Sequence, residues 1–194
     1  HAGVIETAAY VDEVREEFGK KNVLLLHAGD FSQGTSYFTE LDGEMEIDVL
    51  NATGYDVVTL GNHEFDNGME ALAGRLSNLK AEVVCANYDF SATPLADHVK
   101  PYTIVRRGGL KIGIIGVLAN VADVVDSRIA AQLQFQDPAA CVQKHADFLK
   151  DEILDSHAED IINSEKTTSE NIISFRTTKV GAFSKVNGNE CVVI

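Results

Sequence analysis

The chain has 194 residues, 45% of them apolar, which is enough for one buried core and argues against a disordered segment. Its 30 acidic and 16 basic residues give a formal net charge of −14. Such a charge repels nucleic-acid backbones and anionic membranes, and the basic pairs Lys20-Lys21 and Arg106-Arg107 are too sparse to offset it, so a nucleic-acid polymer is not an expected partner.

In chain order, Val4 to Phe18 predicts an amphipathic helix with Val4, Ala8, Val11 and Phe18 near one face, ended by Gly19. Val23 to Ala28 is a short apolar run, expected as a buried strand that runs into Gly29-Asp30. Glu44 to Asn51 predicts a helix with Met45, Val49 and Ile47 inward. Asp56 to Leu60 is a second buried strand and leads into Gly61-Asn62-His63. Gly68 to Leu79 is helical again, and Glu82 to Ala86 is a third strand. Cys85 in that strand is expected to pack as a small hydrophobe; with Cys141 and Cys191 it matches neither a zinc pattern nor a disulfide framework. Tyr102 to Val105 and Lys111 to Val117 predict a hairpin turning at Gly108-Gly109. Asp137-Pro138 opens a helix with Asp as N-cap and Pro in the first turn. After about Asp151 the pattern changes: a break over Lys150 to His157, a polar loop over Ser164 to Asn171, then two strands around Asn187-Gly188. Strands alternating with helices predict an α/β domain. No stretch is long and apolar enough to cross a membrane. Tyr37, Phe38, Tyr88 and Phe90 are expected to serve core or loop packing.

Two strand ends carry the chemistry. One presents Asp30 and the other Asn62 and His63. Ligands of open α/β sheets bind outside the carboxyl ends of the strands, so a carboxylate, an amide oxygen and an imidazole can converge there. Oxygen and nitrogen donors of this kind suit Mn, Zn, Fe, Co, Ni or Mg. Two such cations clamp a phosphate and lower the pKa of a bound water. Asn62 offers a neutral oxygen donor. His63 is placed either to bind the phosphate or to protonate the leaving oxygen. Asp66, three residues on, is placed to take the other ring N–H and fix the tautomer.

The segments His27-Ala28-Gly29-Asp30-Phe31-Ser32-Gln33-Gly34-Thr35 and Leu60-Gly61-Asn62-His63-Glu64-Phe65-Asp66-Asn67-Gly68 resemble the 5′-nucleotidase branch of the calcineurin-like metallophosphoesterases. The Gly-Asn-His-Glu core belongs to the wider superfamily, and the trailing Phe-Asp to the nucleotidase branch. The resemblance covers roughly residues 1–150, expected as the catalytic core, with 151–194 a poorly matching remainder of the same domain. It implies a four-layer α/β/β/α sandwich holding two divalent metal ions. It makes Asp30 the bridging ligand, Asn62 a ligand of the second metal, and His63, oriented by Asp66, the stabiliser of the transition state or leaving group. It implies hydrolysis of a phosphomonoester, foremost a nucleoside 5′-monophosphate, by a metal-activated water. A cyclic nucleotide, sugar phosphate or sulfur ester, or a non-catalytic binding role, stand as alternatives. Members carry an Asp-x-His motif on a strand upstream of Val4, a later His after an apolar strand, and a Gly-His-x-His motif. His157 lies at about the right distance for the later His, and the other two motifs do not occur in these residues. A C-terminal substrate-binding lobe and a periplasmic or cell-surface setting are further implications. His27 is a candidate support for Asp30, while His98 and His145 are expected to have no part in the chemistry.

Overall fold

A computed structural model describes residues 3–161, 183–186 and 189–193, with side chains described for 3–149. Four short strands, β1 (Leu26–His27), β2 (Val57–Thr59), β3 (Glu82–Val84) and β4 (Val99–Lys100), form a parallel sheet in the order β1-β2-β3-β4. A second sheet holds β5 (Tyr102–Arg107), β6 (Leu110–Ile115), β7 (Phe183–Val186) and β8 (Asn189–Val193) in the order β5-β6-β8-β7. β5 and β6 are the expected hairpin, and β7 and β8 pair antiparallel as expected, with β8 joining β6 in parallel. Residues 162–182 and 187–188, including the expected loop over Ser164 to Asn171 and the Asn187-Gly188 turn, lie outside the described residues.

Strand periodicity explains the layering. In β2 and β3, Val57 and Val84 face the second sheet and meet Ile112 and Ile114 of β6. Their neighbours Val58 and Val83 face the other way, against Leu50 of α3 (Glu44–Thr53) and Met69, Leu72 and Leu76 of α4 (Met69–Leu76). On the far side, Cys141 and Leu149 of α6 (Pro138–Ile161) cover Ile115 and Ala86. The result is helix, sheet, sheet, helix: a four-layer α/β/β/α sandwich.

The helices depart from expectation in instructive ways. In α1 (Val4–Phe18) only Val11 is buried, and Val4 and Phe18 are exposed. The helix is held instead by Arg15, which donates to the carbonyls of Thr53 and Gly54 at 2.6 and 2.7 Å. In α3 Ile47 is buried as expected, together with Leu50, while Met45 is exposed and Val49 only half-buried. Asp137 caps α6 by accepting from the Ala140 N–H at 2.8 Å. That helix continues to Ile161 and so runs through the abrupt join at Lys150 to His157. α2 (Ser36–Leu41), α5 (Ser127–Ala130) and β4 have no counterpart among the sequence expectations; each is too short to leave a period in the sequence. Phe38, Tyr88 and Phe90 are core residues as expected, and Tyr37 is exposed. Cys85 is buried to 2% exposure, and burial pushes its thiol up to about 12.

Candidate active site

β1 and β2 are adjacent and parallel, so their carboxyl ends emerge at the same edge of the sheet. The loops that follow touch. A Cβ added to Gly61 would overlap the Asp30 carboxylate, and one added to Gly29 would overlap the Gly61 backbone nitrogen. Glycine at both positions is what lets the two backbones meet. Asp30 itself has a left-handed backbone, φ 55°, which costs a non-glycine residue roughly 1–2 kcal/mol. Its Oδ1 accepts the His63 N–H at 3.4 Å. Asp30, Asn62 and His63 are thus brought together as the sequence predicts.

His63 opens a 3-10 turn, His63–Phe65, and this turn brings Asp66 back toward its ring. His63 Nδ1 lies 3.0 Å from Asp66 Oδ2, with the two side chains 40% and 27% exposed. The hydrogen bond to Asp66 raises the His63 pKa above 6.5, with burial opposing and the charges of Asp66, Asp30 and Glu64 adding to the rise. Protonation is therefore favoured, and with Nδ1 engaged by Asp66 the other ring nitrogen, Nε2, lies on the opposite side of the ring.

The sequence assigns no role to Glu64, although it sits inside the motif. Its side chain is fully buried. One carboxylate oxygen accepts the N–H of Asp30 at 2.9 Å and of Gly61 at 2.5 Å, and the other accepts the N–H of Ser32 at 2.9 Å. Burial pushes its carboxyl up, while these N–H donors pull it back toward the ionised form. Arg75, also buried, donates to the Glu64 carbonyl at 2.9 Å and to the Asp42 carbonyl at 3.2 Å. Asn87, just beyond β3, bonds the Leu118 backbone with both ends of its amide, at 2.7 and 2.9 Å, and so ties the ends of the two sheets together. A glutamate in a motif reads by default as an exposed charge; the one signal against that is its place directly before Phe65.

His27 lies behind the site. Burial lowers its pKa against the opposing charge of Asp30, and its ring packs edge-on against Phe31 and Tyr55 at 5.8 and 5.2 Å. These contacts place the ring among aromatics. His145 rests on Tyr102 at 5.4 Å, away from these loops. His157 lies in α6 on its backbone, and its side chain is outside the described ones.

Asp30 and Asn62 offer a carboxylate and an amide oxygen from abutting loops, a donor pair that suits a divalent cation. Among the described residues no three or more His, Cys, Asp or Glu side chains converge as a metal shell.

The family model for calcineurin-like phosphoesterases matches residues 1–188. A snake venom 5′-nucleotidase from Naja atra is 37% identical over 153 residues, covering 77% of this chain and 28% of that protein. The solved NAD nucleotidase of Haemophilus influenzae matches 77% of this chain and 26% of its own at a TM-score of 0.66 and 37% identity. The solved 5′-nucleotidase precursor of Thermus thermophilus matches 99% of this chain and 42% of its own at a TM-score of 0.70 and 27% identity. The chain thus spans between about a quarter and two fifths of the length of these relatives. With the layered sheets, the touching strand-end loops and these matches in hand, the chain belongs to the calcineurin-like phosphoesterase family, with 5′-nucleotidases as its homologues.

Proposed function

We propose that this chain supplies core residues of a dinuclear, metal-dependent phosphomonoesterase acting on nucleoside 5′-monophosphates. The observation that carries the reading is the junction of Asp30 and Asn62 beside the His63–Asp66 pair. Asp30 and Asn62 would hold divalent cations, Asp30 as the bridge, with further donors contributed from outside the described residues; His157 is the candidate within this sequence. Bound metal supplies charge neutralisation at the phosphate and a water acidic enough to attack. His63, kept protonated by Asp66, hydrogen-bonds a phosphoryl oxygen or gives its proton from Nε2 to the departing nucleoside oxygen. The relatives' greater length supports a further substrate-binding lobe, and the venom relative supports an exported setting, periplasmic or cell-surface.

The test is phosphate release from a nucleoside 5′-monophosphate by the full-length protein with added Mn or Co. Release that a chelator abolishes is the expected outcome. No release from this or any other phosphoester would overturn the reading. The alternative is a fold-preserving binding protein, and failure to bind any divalent metal in a direct titration would select it.

A further inference from the structure

We propose that Glu64 is a positioning residue that sets the distance between the donors Asp30 and Asn62 by clamping their two loops to one carboxylate. The inference rests on the metal-site reading given above. The two donors follow different strands, and their loops have no ladder hydrogen bonds to hold register once β1 ends at His27 and β2 at Thr59. Across that gap the Glu64 side chain is a common acceptor: Oε2 takes the N–H of Asp30 from the first loop and of Gly61 from the second, and Oε1 takes the N–H of Ser32. The N–H groups held on Oε2 belong to Asp30 itself and to the residue directly before Asn62. Any shift of the carboxylate therefore moves both donors.

The geometry requires an acceptor on both sides of the group. All of these groups are N–H donors, so the acceptor must present lone pairs on both oxygens. A glutamine of the same shape would turn its NH₂ toward Ser32 or toward Asp30 and Gly61, placing donor against donor. An aspartate would fall one methylene short. The site is also closed: Glu64 is fully buried, so water cannot substitute for a lost acceptor. The anchor is fixed from behind by Arg75, whose buried guanidinium holds the Glu64 carbonyl and prevents the turn from rolling. Asp30 is held in a left-handed conformation that it would leave if released, and the N–H bond to Glu64 is a direct restraint on it.

The experiment uses the full-length protein and Mn²⁺ as the probe, comparing the parent with Glu64→Gln, Glu64→Asp and Asp30→Asn. Mn²⁺ affinity is read by the loss of the free-ion EPR signal, and folding by circular dichroism and thermal melting. Glu64→Gln should remain folded and bind Mn²⁺ about 10–100-fold more weakly, the range for residues that orient ligands. Its hydrolysis should recover at raised Mn²⁺, which a merely destabilised protein would not show. Unchanged Mn²⁺ affinity in folded Glu64→Gln, with affinity lost in Asp30→Asn, overturns the positioning role and leaves the metal site standing. Unchanged affinity in Asp30→Asn overturns the metal site itself. If Glu64→Gln does not fold, Glu64→Asp decides on the same criterion.

Discussion

At the residue scale, the consequences centre on His63. Its pKa is raised chiefly by the hydrogen bond to Asp66, so Asp66→Asn should bring it back toward 6.5, which an NMR titration of the imidazole C–H resonances reads directly. Hydrolysis should fall by about 10²–10⁴-fold if His63 is the proton donor, and the alkaline limb of the pH–rate profile should move to lower pH. The sign for stability follows from the same shift. A folded-state pKa above the unfolded value contributes stability that is complete below the unfolded value of 6.5 and lost as pH rises through the folded value. Both side chains are partly exposed, so the contribution stays within roughly 1 kcal/mol. That Asp30, Asn62, His63 and Asp66 lie close together was legible in the sequence, because strand-end loops and turn spacing place them without reference to packing. Glu64 was not, because its role depends on burial by a loop 34 residues earlier, and no local pattern encodes that.

Elements were legible in proportion to their length. α1 and α4 carry enough turns to declare a period, whereas α2 and α5, of six and four residues, do not. Period alone misassigns which face is buried. In α1 it selects Val4 and Phe18, yet the helix is attached by a cation: Arg15 satisfies the carbonyls at the C-terminal end of α3, where the helix dipole is also negative. Arg15→Ala should therefore cost about 1.5–3 kcal/mol, more than a surface arginine, as measured by urea denaturation. A Lys replacement should recover only part, since one ammonium cannot reproduce the planar fork that spans Thr53 and Gly54.

For the whole molecule, the four layers were reached through resemblance, and periodicity alone supports only an α/β domain. The reason is that β6 lies beside β8, a pairing that brings Gly113 to Cys191 and Ile115 to Val193 and that no local signal announces. The centre of this arrangement is the apolar seam between the sheets, where Ile114 is fully buried among Val57 and Val84. Ile114→Ala should cost about 2–5 kcal/mol of global stability. A second feature makes that loss measurable without denaturant. Cys85 lies at the end of β3, its thiol pushed up to about 12 by burial, so almost no thiolate exists at neutral pH while the sheet is closed. Alkylation of this sulfur must then wait for the structure to open, and when reclosing is fast its rate counts the open fraction. Each ~1.4 kcal/mol removed by Ile114→Ala should speed the modification by about tenfold, as read by mass spectrometry of the Cys85 peptide. Cys85 is thus a clock for the fold, running on chemistry that the candidate site never touches.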